Sequence, residues 1–91
     1  MAKSEIMIDN EKTRVTRWLF EPGEDTGKHV HEYDYVVVPM MDGSLKIVNH
    51  DGEVSYSNLS KGVSYFRKKG VNHNVINHND FPYSFVEIEF K

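Results

Sequence analysis

The sequence predicts an all-β fold in which two antiparallel sheets face each other and close into a small barrel. Short runs of β-branched and aromatic residues alternate with turn residues along the whole chain. No segment shows a convincing helical periodicity. The pair Asp51-Gly52 lies between two such runs. It favours a hairpin with a type I′ turn, which requires positive φ at both central residues.

Three strands are expected in the first half of the chain. Ile6–Ile8 is a short apolar run that ends at a polar turn. Thr13–Phe20 is rich in β-branched and aromatic residues, and it stops before Pro22-Gly23. His29–Val38 first alternates and then runs apolar as far as Pro39. These patterns are typical of strands that are buried on at least one face.

The second half contains shorter strands separated by turns rich in glycine, asparagine and aspartate. Leu45–Val48 and Val54–Tyr56 flank the Asp-Gly turn. Val63–Phe66 and Val71–Ile76 each follow a glycine, and Tyr83–Phe90 ends the series. Since few long loops separate these strands, closing the sheet is the simplest way to remove its unpaired edges. No repeat or linker interrupts residues 1–91, so we expect a single domain.

Composition and charge exclude several classes of protein. The chain has 91 residues, a net charge of −3 and no cysteine. We expect no nucleic-acid partner, because phosphate binding needs a basic face, and neither disulfides nor thiolate metal sites. No apolar run is long enough to span a bilayer, and residues 1–12 lack the apolar core of a signal peptide. A soluble cytoplasmic protein without membrane contacts is therefore predicted.

The small size of the chain favours association. A domain of this length buries only about 60–65 % of the surface that its unfolded chain exposes. We therefore expect a homodimer, in which the segment Ile6–Ile8 adds to the partner's sheet by edge pairing.

Three of the five histidines are candidate metal ligands. His29 and His31 stand at i and i+2, a spacing that places both imidazoles on one face of a strand. His73 comes from a distant segment that follows a glycine turn. Three imidazoles without a nearby cysteine suit a first-row transition metal. His50 and His78 lie in polar turns, where we expect solvated side chains rather than metal ligands.

A purely structural interpretation of the candidate ligands stays open. His29 and His31 would then lie on an exposed strand face, and His73 would be an ordinary histidine near a turn. The next residues on the face of the pair are Tyr33 and Tyr35. Two aromatic side chains favour an inward, enclosed face over a solvated one.

The chain resembles the cupin superfamily in two sequence motifs. The first motif, G-x5-H-x-H-x3,4-E-x6-G, is matched at Gly23, His29, His31 and Gly43. The second motif, G-x5-P-x-G-x2-H-x3-N, is matched at Gly62, Gly70, His73 and Asn77, with Lys68 in place of the proline. The resemblance implies a small cupin-type (RmlC-like jelly-roll) β-barrel, with His29, His31 and His73 as ligands of one divalent transition metal ion: Fe, Ni, Zn or Mn.

The glutamate of the first motif has no counterpart in this chain. Tyr35 and Val36 occupy its two possible positions. Three alternatives for the fourth ligand position stay open: Tyr35, Asp34 turned inward by a β-bulge, or water alone. The site therefore resembles the three-histidine cupins, which include thiol dioxygenases.

This resemblance implies a small metal-dependent, oxygenase-like enzyme that acts on a small polar metabolite. Tyr35 is the candidate catalytic residue, as an acid or in orienting the substrate, with core packing of its ring as the alternative. A non-catalytic module that binds a small ligand and a structural cupin with vestigial histidines are the other classes considered. The chain is also similar to small cupins of β-alanine degradation at Val15–Trp18, Asp34–Pro39 and Gly62–Phe66, a similarity that implies no defined reaction.

Two groups of charged residues need an interpretation. Glu87 and Glu89 alternate with apolar residues near the end of the chain. If their face is inward, Glu87 needs a partner, and Arg14 or Arg17 is expected to supply it; an outward polar face is the alternative. The basic run Arg67-Lys68-Lys69 is expected to be a solvated turn, with a rim that attracts anionic substrates as the alternative.

Overall fold

The computed structural model describes all 91 residues and contains strands but no helix. The strands are β1 (Lys3–Asp9), β2 (Thr13–Phe20), β3 (His29–Val30), β4 (Asp34–Pro39), β5 (Gly43–Asn49), β6 (Val54–Leu59), β7 (Tyr65–Arg67), β8 (Asn72–Asn77) and β9 (Tyr83–Phe90). One sheet has the strand order β1-β2-β9-β4-β7 and the other the order β3-β8-β5-β6. Every pairing is antiparallel. The predicted all-β class with two antiparallel sheets is confirmed.

The hydrophobic core lies between the two sheets. In β4 and β8 every second residue is buried, as expected when one face of a strand points inward. The core cluster takes side chains from both sheets: Phe20, Tyr35, Val37, Leu45, Leu59, Val75, Tyr83 and Phe85. Gly43, which matches the last glycine of the first motif, lies against the Tyr83 ring, where a Cβ atom would come within 2.6 Å of Cε2. This close approach requires glycine at that position.

β1 forms one edge of the larger sheet, and all seven of its residues are exposed. Ile6 is 62 % exposed, and its apolar neighbours Met7 and Ile8 are about half exposed at 46 % and 49 %. An exposed apolar edge strand offers unpaired backbone groups to another chain. No helix long and apolar enough to cross a bilayer is found among the elements of the chain.

Two local expectations were wrong. The predicted strand His29–Val38 divides into β3 and β4, which belong to different sheets. Between them the backbone of His31 leaves the strand path, donating a hydrogen bond to Val71 and accepting one from Gly70. The chain here crosses from one sheet to the other, which a continuous apolar pattern does not reveal.

The second wrong expectation concerns the type of the turn between β5 and β6. The hairpin itself is present, with Val48 paired to Val54. Its turn is not type I′, because Gly52, with φ of 87°, is the sole turn residue with positive φ. The Gly52 N–H donates to the Asn49 carbonyl at 2.9 Å. A three-residue connection that ends in a left-handed glycine, the next most common hairpin loop, therefore replaces the two-residue turn.

Candidate metal centre

The side chains of His29, His31 and His73 meet between the two sheets. The Nε2 atom of His31 lies 3.1 Å from that of His29 and 3.2 Å from that of His73. His31 and His73 are buried, and His29 is partly buried. The three histidines singled out in the sequence thus form one cluster, which does not include His50 or His78.

The strand register explains this convergence. His29 of β3 stands directly opposite His73 of β8, so both side chains project from the same face of the smaller sheet. His31 lies just beyond β3, and its ring stacks on that of Tyr35 with 3.8 Å between ring centroids. The structure brings the predicted pair together, but not on one strand face, because His31 is positioned by the crossover and by Tyr35.

The spacing of the three nitrogens fits a single metal ion. Metal–nitrogen bonds of about 2.0–2.1 Å place neighbouring ligand nitrogens roughly 2.9 Å apart at right angles and roughly 3.4 Å apart at tetrahedral angles. Both measured Nε2 separations fall inside this range. The Nδ1 atom of His29 lies 2.8 Å from the Gly27 carbonyl, which can only accept a hydrogen bond. Nδ1 therefore carries the proton, and Nε2 keeps the lone pair that a metal needs.

The two buried histidines are neutral at pH 7. Burial, followed by the neighbouring His29, lowers the pKa of His31 to about 4. Burial, followed by its charged neighbours, lowers the pKa of His73 to about 4 as well. Since a metal binds only the deprotonated ring, these two side chains are prepared for coordination without first losing a proton.

Tyr35 stands where the first motif has glutamate, and it is buried. Burial, with Glu87 adding to the effect, raises its pKa far above the usual value, so the phenol stays protonated. The alternative Asp34 does not turn inward: its carboxylate accepts a hydrogen bond from the Lys69 N–H at 2.9 Å. The pairing of β4 with β9 is regular from Asp34 to Pro39, so no bulge changes its facing.

Glu87 lies behind His31, a relation that the sequence did not reveal. Its Oε1 atom is 3.9 Å from Nδ1 of His31, the ring nitrogen that points away from the other two histidines. Burial, reinforced by the neighbouring Glu89, raises the pKa of Glu87 to about 7. At 3.9 Å the two atoms are beyond hydrogen-bonding distance, so the carboxylate can act on the ring only through its charge. In the sequence, the alternation of Glu87 and Glu89 with apolar residues was the pattern that could have indicated an inward position for Glu87.

Of the two facings that the sequence left open for Glu87, the inward one is present, but the arginine partner expected in that case was wrong. Arg14 binds Glu89 through two hydrogen bonds of 2.9 and 3.1 Å. Arg17 pairs with Glu5 at 2.7 Å. The register decides this outcome, because Arg14 stands directly opposite Glu89 and Arg17 directly opposite Glu5.

A cavity of about 230 Å³ adjoins the histidine cluster. His31, His73 and Tyr35 form part of its wall, and Glu87 also reaches it. The remaining lining is mixed, with apolar core residues on one side and polar residues on the other, among them Asn49, Ser55, Ser57, Tyr65 and Arg67. A small molecule in this space would touch both the histidines and a polar wall. Tyr33, the other tyrosine considered, does not line it.

Comparisons with known proteins agree with this geometry. The family model described as "Cupin domain" matches residues 16–89. The beta-alanine degradation protein BauB of Pseudomonas aeruginosa is 46 % identical over 86 residues, which cover 94 % of this chain and 90 % of that protein. A cupin domain from Bordetella pertussis Tohama I superposes with a TM-score of 0.95 at 51 % identity, covering 99 % of this chain and 93 % of its own. An RmlC-like cupin with a double-stranded β-helix fold from Methanocaldococcus jannaschii has a TM-score of 0.80 at 17 % identity, covering 99 % and 80 %, which is a likeness of fold alone.

Proposed function

Because this chain belongs to the cupin family, we propose that it is a small metal-dependent enzyme that acts on a small polar metabolite inside its barrel. The observation that carries the proposal is the convergence of three Nε2 atoms at separations that fit one ion, next to a cavity. His29, His31 and His73 would hold one divalent ion: Fe, Ni, Zn or Mn. A cytoplasmic location and the absence of nucleic-acid and membrane partners stay predictions from the composition.

The residues of the site have different roles in the proposed reaction. Three histidine ligands leave coordination positions free toward the cavity, the arrangement of catalytic rather than structural sites. When bound, the ion supplies Lewis-acid or redox chemistry, and oxygenase-like chemistry is the class we favour. The nearby charge of Glu87 would favour the proton on Nδ1 of His31, while the apolar part of the cavity wall excludes water from the reacting end of the substrate.

Two measurements test this function. Protein prepared without an affinity tag is loaded with Fe, Ni, Zn or Mn, and its metal content is determined by elemental analysis. Oxygen consumption is then followed with a panel of small polar compounds. The name of the Pseudomonas relative makes β-alanine and its breakdown products the first compounds to try. Stoichiometric metal with substrate-dependent oxygen uptake is the expected result.

A non-catalytic module that binds a small ligand is the second candidate. Tyr35 at the position of the motif glutamate favours it, because the site then has no carboxylate in the place where the first motif supplies one. Metal uptake and ligand binding without turnover would support this module and contradict the enzyme.

Tyr35→Phe tests the proposed catalytic role. We propose that the protonated phenol orients the substrate or donates a proton to it, so its loss is expected to lower turnover by at least about tenfold. Metal content is expected to stay unchanged, because the ring of Phe can still stack on His31. Tyr33→Phe is the control, since that side chain lies outside the cavity. Full turnover in Tyr35→Phe would reduce this residue to a packing role.

We also propose a homodimer formed through β1. Ile6→Asp places a charge on the exposed apolar edge and is expected to shift the protein to a monomer, as measured by light scattering at micromolar concentration. Val63→Asp is the matched control, because Val63 is 63 % exposed against 62 % for Ile6 and lies outside the strands. A monomer mass for the unmodified protein would refute the dimer.

A further inference from the structure

Arg67 is the one lining residue of the cavity that carries a permanent positive charge. None of the ion pairs of the chain involves it. Its Nη1 atom donates a hydrogen bond of 2.9 Å to the Phe66 carbonyl, and its guanidinium lies over the Tyr65 ring, 4.6 Å from the centroid. These two contacts fix the side chain and leave most of its five N–H donors free. Arg67 thus lines the cavity from an exposed position, and its guanidinium has no anionic partner within the chain.

Arg67 also lies close to the candidate metal centre. It stands directly opposite Tyr35 where β7 pairs with β4, so both side chains project from the same face of the sheet. Tyr35 in turn stacks on His31. A molecule bound to this guanidinium would therefore extend toward the three histidines.

The wall beside Arg67 offers further hydrogen-bonding groups that the fold does not use. Ser55 and Ser57 on β6 face the cavity, and no hydrogen bond within the chain engages their hydroxyl groups. The same is true of the Tyr65 hydroxyl. β6 and β7 are edge strands of different sheets, and no backbone hydrogen bonds join them. The polar side of the cavity lies between these two edges. These hydroxyl groups are open to solvent, and a polar ligand group in the cavity can replace the water that they bind.

Volume and charge limit what this ligand can be. The cavity of about 230 Å³ lies below the range of roughly 300–1,000 Å³ that is usual for ligand pockets, which favours a small ligand. Arg67 supplies one positive charge to this wall of the cavity, which matches the single charge of a carboxylate. The planar guanidinium matches the geometry of a carboxylate, which it can bind through two parallel N–H donors.

We propose that the substrate of this site is a small monocarboxylate, and that Arg67 binds its carboxylate while the rest of the molecule reaches the histidine cluster. This inference rests on the proposed function, because both use the same cavity. For Arg67 it adopts the alternative considered for the basic run, a rim that attracts an anionic substrate. All three residues of the run are exposed, but Arg67 alone lines the cavity.

The experiment compares propionate with propionamide, which has nearly the same shape and no charge. Both are titrated into metal-free ¹⁵N-labelled protein at constant ionic strength, and binding is followed from the amide shifts of β6 and β7. We expect saturable binding of propionate and at least about tenfold weaker binding of propionamide. Arg67→Gln is expected to weaken propionate binding at least about tenfold. Arg67→Lys keeps the positive charge but lacks the two parallel N–H donors, so it is expected to weaken binding less.

Lys68→Gln is the matched control, because it removes the same charge from the neighbouring residue outside the cavity. It is expected to bind propionate as the unmodified protein does. Equal binding of propionate and propionamide, or unchanged propionate binding in Arg67→Gln and Arg67→Lys, would overturn the proposal. Because the titration uses metal-free protein, a failure to take up metal would refute the proposed enzyme and leave this result intact. Loss of Arg67-dependent binding in a protein that still takes up metal would refute only the carboxylate subsite.

Discussion

We expect His31→Ala to lower the affinity of the protein for its divalent ion by more than about 100-fold. The substitution removes the central one of the three proposed ligand nitrogens, since Nε2 of His31 lies 3.1 and 3.2 Å from those of the other two histidines. Disturbing only the groups that orient a metal ligand already costs about 10–100-fold in affinity, so the loss of a ligand itself costs more. Untagged protein is equilibrated with Fe, Ni, Zn or Mn, and bound metal is measured by elemental analysis after gel filtration.

Two histidines outside the cluster serve as controls. His50→Ala and His78→Ala are expected to keep full metal occupancy, because neither side chain belongs to the group of converging nitrogens. His31 is buried against Tyr35, so alanine there also leaves a gap, and thermal unfolding of each variant is measured in parallel. His29→Ala removes a partly exposed ligand and disturbs packing less. Unchanged occupancy in both ligand variants, or no metal bound by the unmodified protein, would exclude the metal-dependent enzyme.

The second large effect is expected in the acid stability of the metal-free protein. The pKa values of His31 and His73 fall from an ordinary value of 6.5 to about 4 on folding. Between these limits the unfolded chain binds more protons than the folded one, so the free energy of unfolding falls as the pH decreases from 6.5 to about 4. Glu87 acts in the opposite direction. Its pKa rises from 4.5 to about 7 on folding, so its contribution to stability increases as the pH decreases from 7 to 4.5.

Glu87→Gln separates the two effects. The variant no longer buries a negative charge, so it is expected to be more stable than the unmodified protein at pH 8, by roughly 3 kcal/mol at most. It also loses the compensation below pH 7, and its stability is expected to fall more steeply between pH 6.5 and 4. Urea unfolding in the presence of a chelator at pH 8, 6 and 4.5 measures both differences.

The control for this experiment is Glu53→Gln, which changes the same functional group at an exposed turn position. It is expected to follow the unmodified protein at all three pH values. If Glu87→Gln does the same, the carboxylate of Glu87 is not held in a buried site beside His31, and its proposed effect on the Nδ1 proton is lost.

Local sequence determined the strands and the identity of the histidine cluster. Thr13–Phe20 and Tyr83–Phe90 have the bounds that their β-branched and aromatic residues predicted. The alternation within them follows from the strand period of two, which needs only neighbouring residues. The motif spacing predicted that His29, His31 and His73 belong together, and the structure brings their nitrogens within hydrogen-bonding distance. The family resemblance was likewise available from the sequence.

Tertiary structure alone decided how distant segments meet. Whether Arg14 pairs with Glu87 or Glu89 depends on the register of β2 against β9, and a shift of two residues would exchange the partners. Register is set by contacts between residues more than seventy positions apart, which no local pattern encodes. The crossover at His31 and the position of Arg67 in the cavity wall follow from sheet assignment in the same way. The spacing of residues along the chain thus predicted the histidine cluster, and long-range pairing decided which charges surround it.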